Sequence, residues 1–206
     1  VLKIRSLDVA YGGLKAQVIE FCRTWHLLPE GWLYGLAFVL LAHAHAAQAG
    51  APGARDGIAA TFDLMEQHFW EPAHGLYADE ASPGWQVGAY RGQNANMHAC
   101  EAMLAAFEAT GEPHYLARAT QLAESVTQRL ASQSHGLIWE HYGPDWRADW
   151  DYNRHDKSNI FRPWGFQTGH LSEWAKLLLT LERLTPGLRQ TQPGNALRQR
   201  HHIHVA

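Results

Sequence analysis

The sequence predicts an all-α chain assembled from repeated helical hairpins, and three observations carry that reading. Ala49-Gly50-Ala51-Pro52 returns as Thr110-Gly111-Glu112-Pro113, and His74-Gly75-Leu76-Tyr77 returns as His135-Gly136-Leu137-Ile138, both at an offset of 61 residues. Between these markers each copy spaces its apolar residues as a helix face does: Ile58, Phe62, Leu64, Met65 and Phe69 in the first, Ala119, Leu122, Ala123, Val126 and Leu130 in the second. Before each Gly-x-Pro lies another helical stretch, so the repeating unit is helix, turn, helix and then a His-Gly loop. A hairpin of this kind buries only one face, and stacking against its neighbours supplies the rest of the core.

The elements follow in order. The run GWLYGLAFVLLAHAHAAQA is apolar enough to resemble a membrane span, but His43, His45, Gln48 and its many alanines mark it as a buried helix of about Trp32 to Gln48. Gly50 and Gly111 are placed to cap the first helix of each pair, and Pro52 and Pro113 to open the second. Hairpins are therefore expected over about 32–69 and 95–130. A third inner helix is expected over 167–184, stopped by Thr185-Pro186. The connections Gly75 to Asn94 and Gly136 to Gln167 are too long for plain turns and are rich in Trp, Tyr, Arg and Asp, which favours function. Short hairpin strands are expected in them near 76–91 and 137–142. Residues 1–30 form a separate N-terminal segment. Residues 187–206 are polar, hold Pro193 and Gly194, and show no period. They read as a disordered tail whose clustered histidines could take up metal only adventitiously.

Composition bounds the function classes. The formal net charge is −3, which gives no electrostatic case for nucleic acid or an anionic membrane surface. Cys22 and Cys100 are isolated and form no CxxC pair, so neither a disulfide nor a structural zinc site is expected, and a reducing compartment, the cytoplasm, fits. No secretory signal pattern opens the chain. Nine tryptophans and fourteen histidines are the unusual counts. A tryptophan face suits the apolar face of a sugar ring, and plain core packing accounts for it as well.

Two segments carry possible chemistry. His98-Ala99-Cys100-Glu101 and His170-Leu171-Ser172-Glu173 are both His-x-x-Glu sequences near a helix start, and each follows an Arg-bearing loop with Arg91 or Arg162. Spacing of i, i+3 puts imidazole and carboxylate on one helix face, where the carboxylate fixes the tautomer and raises the basicity of the ring. That suits proton transfer near neutral pH. A single such motif arises often by chance, and a Glu near a helix N-terminus also complements the helix dipole. A metal site is the other chemical reading, although di-iron bundles order the pair as Glu-x-x-His and draw further carboxylates from other helices.

RGQNANMHACEAMLAAFEATGEPHYLARA is similar to the RGQNxNMH helix of the N-acylglucosamine 2-epimerase and mannose isomerase family, and DYNRHDKSNIFRPWGFQTGHLSEWAKLLLTLERL resembles that family's DYN…FRPWGFQPGHxxEWxKLLL stretch. The resemblance covers about Trp32 to Pro186. It implies a partial (α/α)6 barrel, an α/α toroid of hairpins around a central sugar pocket. It also implies an isomerase interconverting an aldose such as mannose with its ketose by proton transfer between C2 and C1. No cofactor and no metal are implied, and the implied partner is a monosaccharide. By the same resemblance His170 matches a proton-transferring histidine and Glu173 the carboxylate that accompanies it. Asn94 and His98 match residues holding sugar hydroxyls, and Arg91 and Arg162 lie in the substrate-binding loops. Asn94, His98, His170 and Glu173 are expected to cluster on one concave face.

Six units of about 61 residues exceed this chain, and the family's second catalytic histidine lies in later repeats. The expectation is therefore an impaired enzyme with exposed barrel flanks able to self-associate. Val1 to Thr24 does not share the resemblance: LKIRSLDVAYGGLKAQ looks like the first strands of an ABC-transporter ATPase subunit, without a following phosphate-binding Gly-rich loop. A 2-epimerase using the same residues and a non-catalytic helical-repeat interaction module are the competing readings.

Overall fold

The computed structural model describes residues 31–185. The expectations for residues 1–30 and for the tail at 187–206 lie outside the described residues. The first hairpin comprises α1 (Leu33–Gln48) and α2 (Ala54–His68). The second comprises α3 (Gln93–Thr110) and α4 (Pro113–Glu124), which continues through a π-helical turn at Ser125–Leu130 and a 3-10 turn at Ala131–Ser134. The third inner helix, α5, spans Thr168–Leu184. Among the described residues no helix is long and apolar enough to cross a membrane.

Burial separates α1 and α3 from α2 and α4. On α3 nearly every side chain from Gln93 to Ala106 is buried, and many are small: Ala95, Ala99, Cys100, Ala102, Ala105 and Ala106. Such a helix lets α1 pack against one flank and α4 and α5 against others. By contrast α2 and α4 bury single stripes, Ala54, Ile58, Thr61 and Met65 on one and Tyr115, Ala119, Leu122 and Ala123 on the other, as surface helices do. Each fully buried Leu, Ile or Met in this core contributes about 2 kcal/mol of hydrophobic stabilisation. The α1–α2 contact is close enough to require glycine at position 57, where a Cβ would come within 2.4 Å of the His43 ring.

The turns follow the expected chemistry with one difference. Gly111 closes α3 in the left-handed region at φ 77°, and Pro113 is the first residue of α4. In the first copy Gly50 also has φ 77°, but Pro52 sits within the turn and α2 starts only at Ala54, after a left-handed Gly53.

Two of the three pairs of short strands join distant segments, and the third is a local hairpin. The strands are β1 (Gly31–Trp32), β2 (Trp70–Glu71), β3 (Leu76–Tyr77), β4 (Glu80–Ala81), β5 (Arg91–Gly92) and β6 (His141–Tyr142). All three pairs are antiparallel: β1 with β4, β2 with β3, and β5 with β6. In each repeat the strand leading into the inner helix is thus bound to the loop that follows the outer helix. The loops repeat in detail. Ala81 bridges Val87, and Tyr142 bridges Ala148. Trp85 and Trp146 both adopt positive φ, 58° and 59°. The amide of Leu33 donates to the carbonyl of Asp79, and that of Gln93 to the carbonyl of Glu140.

Candidate functional site

The helix starts at Leu33, Gln93 and Thr168 lie 60 and then 75 residues apart, so the third inner helix enters after a longer link. Its register differs accordingly from the motif match. The sixth residue of each inner helix is Phe38, His98 and Glu173, and these stand at one level. The His98 ring lies 4.8 Å from that of Phe38 and 5.1 Å, edge-on, from that of Tyr34, while its Nδ1 is 4.0 Å from Glu173 Oε1. Histidine and carboxylate of neighbouring helices therefore face each other at the level where the sequence placed two equivalent histidines. His170 sits one turn nearer the start of α5 than Glu173.

Around His98 two carboxylates and an ammonium gather. Its Nδ1 is 3.4 Å from Glu101 Oε2, the expected i+3 partner. Lys176, one turn beyond Glu173, donates to Glu101 Oε1 at 2.7 Å and lies 4.0 Å from Glu173 Oε1. Burial opposes ionisation of Glu101, but the Lys176 ammonium and His98 outweigh it and hold its carboxyl below the usual range. The same bond to Glu101 raises the Lys176 ammonium above its ordinary value. His98, Glu101 and Glu173 have ligand atoms close enough together to hold a metal ion. The Lys176 ammonium already supplies the positive charge that a cation would bring there.

His170 does not use Glu173 as its hydrogen-bond partner. Its Nδ1 lies 2.9 Å from Glu140 Oε2, and the carboxylate comes from the residue just before β6. Glu140 is buried, with a side chain only 5% exposed. It accepts two further contacts from Gln93 Nε2, at 2.9 and 3.1 Å, and Gln93 Oε1 in turn accepts from the indole N–H of Trp174 at 2.6 Å. The hydrogen bond to Glu140 raises the His170 imidazole above its ordinary value, outweighing burial, with Glu173 adding to it. Because the carboxylate can only accept, Nδ1–H donates to it, and in the neutral imidazole Nε2 then carries the lone pair on a partly exposed ring.

Asn94 lies one turn before His98 on the same face of α3. Its Oδ1 is buried and has no hydrogen-bond partner among the described residues, an acceptor awaiting a donor. The two arginines are committed elsewhere. Arg91 makes a bidentate pair with Glu71, Nε to Oε2 at 2.9 Å and Nη2 to Oε1 at 2.6 Å, and donates Nη1 to the carbonyls of Gly88 and Tyr90. Its side chain is 5% exposed. Glu71 also accepts from Trp146 Nε1 at 2.8 Å, so Arg91 ties β5 to two loops. Arg162 donates to Glu80 at 2.7 Å, reaches the Tyr152 hydroxyl at 3.3 Å, and stacks 3.9 Å above the Tyr90 ring. Both guanidiniums are thus paired with carboxylates of the scaffold. His141, beside them, is linked to the Tyr90 hydroxyl at 2.9 Å and to the Pro163 carbonyl at 2.8 Å, and burial pushes its imidazole down.

Sequence reasoning missed Glu140, Gln93 and Trp174. A signal for Glu140 was present. The 61-residue offset that relates the His-Gly loops also carries Asp79 onto Glu140, and Pro83-Gly84-Trp85 onto Pro144-Asp145-Trp146. Asp79 occupies the same place in the preceding loop and accepts from the Gly92 amide at the entry to α3. Each loop therefore sends a carboxylate to the next inner helix.

Antiparallel helical pairs whose inner members bring imidazoles and carboxylates to one face place the chain among the α/α-hairpin repeat proteins with a histidine–carboxylate centre. Comparison with known proteins gives the family. The chain belongs to the N-acylglucosamine 2-epimerase (GlcNAc 2-epimerase) family, whose sequence model matches residues 8–203. It is similar to a D-mannose isomerase of Marinomonas mediterranea, 56% identical over 155 residues that make up 74% of this chain and 39% of that protein. A D-mannose isomerase of Thermobifida fusca is 42% identical over 154 residues, 74% of this chain and 38% of that one. A crystal structure of a D-mannose isomerase matches with a TM-score of 0.74 at 54% identity, over 76% of this chain and 41% of its own. Cellobiose 2-epimerase from Bacillus thermoamylovorans matches with a TM-score of 0.63 at 15% identity, over 78% of this chain and 41% of its own, which shows a shared fold alone. The chain spans about two fifths of the length of these relatives.

Proposed function

We propose that the described helices form part of an (α/α)6 barrel and that their common face serves an aldose–ketose isomerase acting on D-mannose or a close analogue. The observation that carries this is the His170 imidazole, whose Nδ1–H is held by the buried Glu140 at 2.9 Å while Nε2 stays open. Similarity to D-mannose isomerases over three quarters of the chain supports the substrate class.

In this reading Nε2 of His170 removes the C2 proton of the open-chain aldose. The C2–H electrons form the C1–C2 double bond, the carbonyl oxygen at C1 takes a proton, and an enediol results. Return of the proton from His170 to C1 with loss of the O2 proton gives the ketose. An imidazole whose basicity is raised by a carboxylate suits proton removal and return. Glu173 adds negative potential beside the imidazolium. Asn94 Oδ1 accepts a sugar hydroxyl, which supplies its missing donor, and His98 binds a second hydroxyl. Arg91 and Arg162 act by fixing the loops. Neither a metal nor a cofactor has a part in this scheme.

Incubation with D-mannose in deuterated water tests the proposal. Ketose carrying deuterium at C1 is the expected result, abolished by His170→Ala. Deuterium entering C2 with glucose as sole product would make the protein a 2-epimerase instead. No exchange in the intact protein would leave the helical interaction module. We also propose self-association through exposed apolar side chains such as Leu179, 67% exposed on α5. Sedimentation velocity over a hundredfold concentration range checks this, and a constant monomer coefficient refutes it.

A further inference from the structure

We propose that Glu140 is the positioning residue that fixes the tautomer and orientation of His170. The inference rests on the reading of His170 as the base, but its geometry stands independently of any substrate.

Four groups close a circuit across three elements. The indole N–H of Trp174, on α5, can only donate, so the oxygen of the Gln93 amide must face it, as the 2.6 Å contact shows. The amide NH2 is thereby turned toward Glu140, which receives it on both oxygens. The backbone amide of Gln93 also donates to the Glu140 carbonyl at 3.2 Å, so carboxylate and amide are locked at both backbone and side chain. Gln93 Nε2 lies 3.1 Å from His170 Nδ1 as well. The carboxylate oxygen 2.9 Å from Nδ1 can only accept, so the ring satisfies that contact by donating its own Nδ1–H to Glu140 Oε2. Gln93 and Trp174 thus hold the carboxylate, and the carboxylate holds the imidazole with Nε2 unprotonated.

The equivalent acid of the preceding loop shows that this is a particular use of a repeated device. Asp79 reaches the backbone amide of Gly92 at the start of α3, whereas Glu140, one methylene longer, reaches a side chain at the start of α5. A purely structural tether would need only the first arrangement. Burial of Glu140 adds to the effect, since a charge-assisted hydrogen bond is stronger where water is excluded.

The test reads His170 directly by nitrogen NMR on the full chain labelled at histidine. The Nδ1–H tautomer is expected above the titration midpoint of His170, and an Nε2–H tautomer in the unaltered protein would overturn the proposal without any variant. In Glu140→Gln the midpoint is expected to fall by about one pH unit or more, because a nearby opposite charge has been removed. Glu140→Asp keeps the charge and should restore part of the change. Asp79→Asn, which does not touch His170, should leave the midpoint where it is. If the protein isomerises an aldose, Glu140→Gln should lower kcat about 10–100-fold with KM little changed and move the acidic limb of the pH profile to lower pH. A tether with no hold on the imidazole would lower the melting temperature and leave both midpoint and limb in place, and that result in a folded Glu140→Gln protein refutes the proposal. Absence of any turnover in the unaltered protein would sink the isomerase reading alone, because the tautomer and midpoint are still measured.

Discussion

Replacing Asp79 by asparagine should flatten the pH dependence of stability by an amount that follows from its surroundings. Burial pushes the Asp79 carboxyl up to about 8, against the opposing effects of the Gly92 amide and of Arg162 and Arg91. An unfolded aspartate titrates near its ordinary value of about 3.9. Between these two values the native protein holds a proton that the unfolded chain releases. The stability this contributes is full below the unfolded value and is lost as pH rises toward about 8. One proton corresponds to about 1.4 kcal/mol per pH unit, so raising the pH from 5 to 7 should cost the unaltered protein about 2.7 kcal/mol through this residue. Asparagine matches the shape of the neutral acid, can still accept from Gly92, and does not titrate. The assay is urea unfolding followed by tryptophan fluorescence at pH 5, 6 and 7, with both proteins compared at each pH. His170, raised by Glu140, and His141, lowered by burial, also make stability depend on pH, but their contributions are common to both proteins and drop out of the difference. Equal slopes in the two proteins, or a carbon-13 carboxyl signal for Asp79 that titrates near 4, would refute the reasoning.

Three other outcomes are expected. Trp174→Phe removes the donor that, among the described residues, satisfies the buried Gln93 Oε1, which should cost about 1–3 kcal/mol in the same urea assay. Gly92→Ala places a Cβ 2.7 Å from the Tyr90 hydroxyl and 2.9 Å from Asp79 Oδ1, so it should destabilise by about 1–3 kcal/mol through overpacking alone, since its φ of −135° suits alanine. Asn94→Ala deletes an acceptor with no partner among the described residues, so the melting temperature should hold or rise while calorimetric binding of D-mannose weakens by about tenfold or more; unchanged or tighter binding would contradict the place given to Asn94.

The helices were legible because their apolar spacing and their turn residues repeat together. Ile58 and Met65 on α2, and Ala119 and Leu122 on α4, are buried as the periodicity predicts. Which helices are inner was less visible, since α3 buries almost all its faces and so gives little periodic contrast. His98, Glu173 and His170 were legible as residues but not in their register. The motif match treated the two His-x-x-Glu segments as equivalent, whereas the link before α5 is longer and moves Glu173 to the level of His98. Glu140 was hidden for a different reason. Its partner His170 is 30 residues away across an aperiodic loop, and only the tertiary path of that loop brings the carboxylate within 2.9 Å. The partners of the arginines were not legible, because a sequence shows that a guanidinium is present but not which carboxylates, here Glu71 and Glu80, it pairs with.

The alanines of α3 have a consequence for how such a wall could be reshaped. Ala95, Ala99, Ala102 and Ala106 allow the neighbouring backbones to come near, and the separation of helices depends on the side chains between them. Enlarging one of these residues by a methyl or two would act like a shim, prising adjacent staves apart and tilting Tyr34 and Phe38 relative to His170 without altering any polar group. The spacing of these rings is therefore set by small residues in the packing seam, and exchanging alanine for serine, valine or glycine there would reset it.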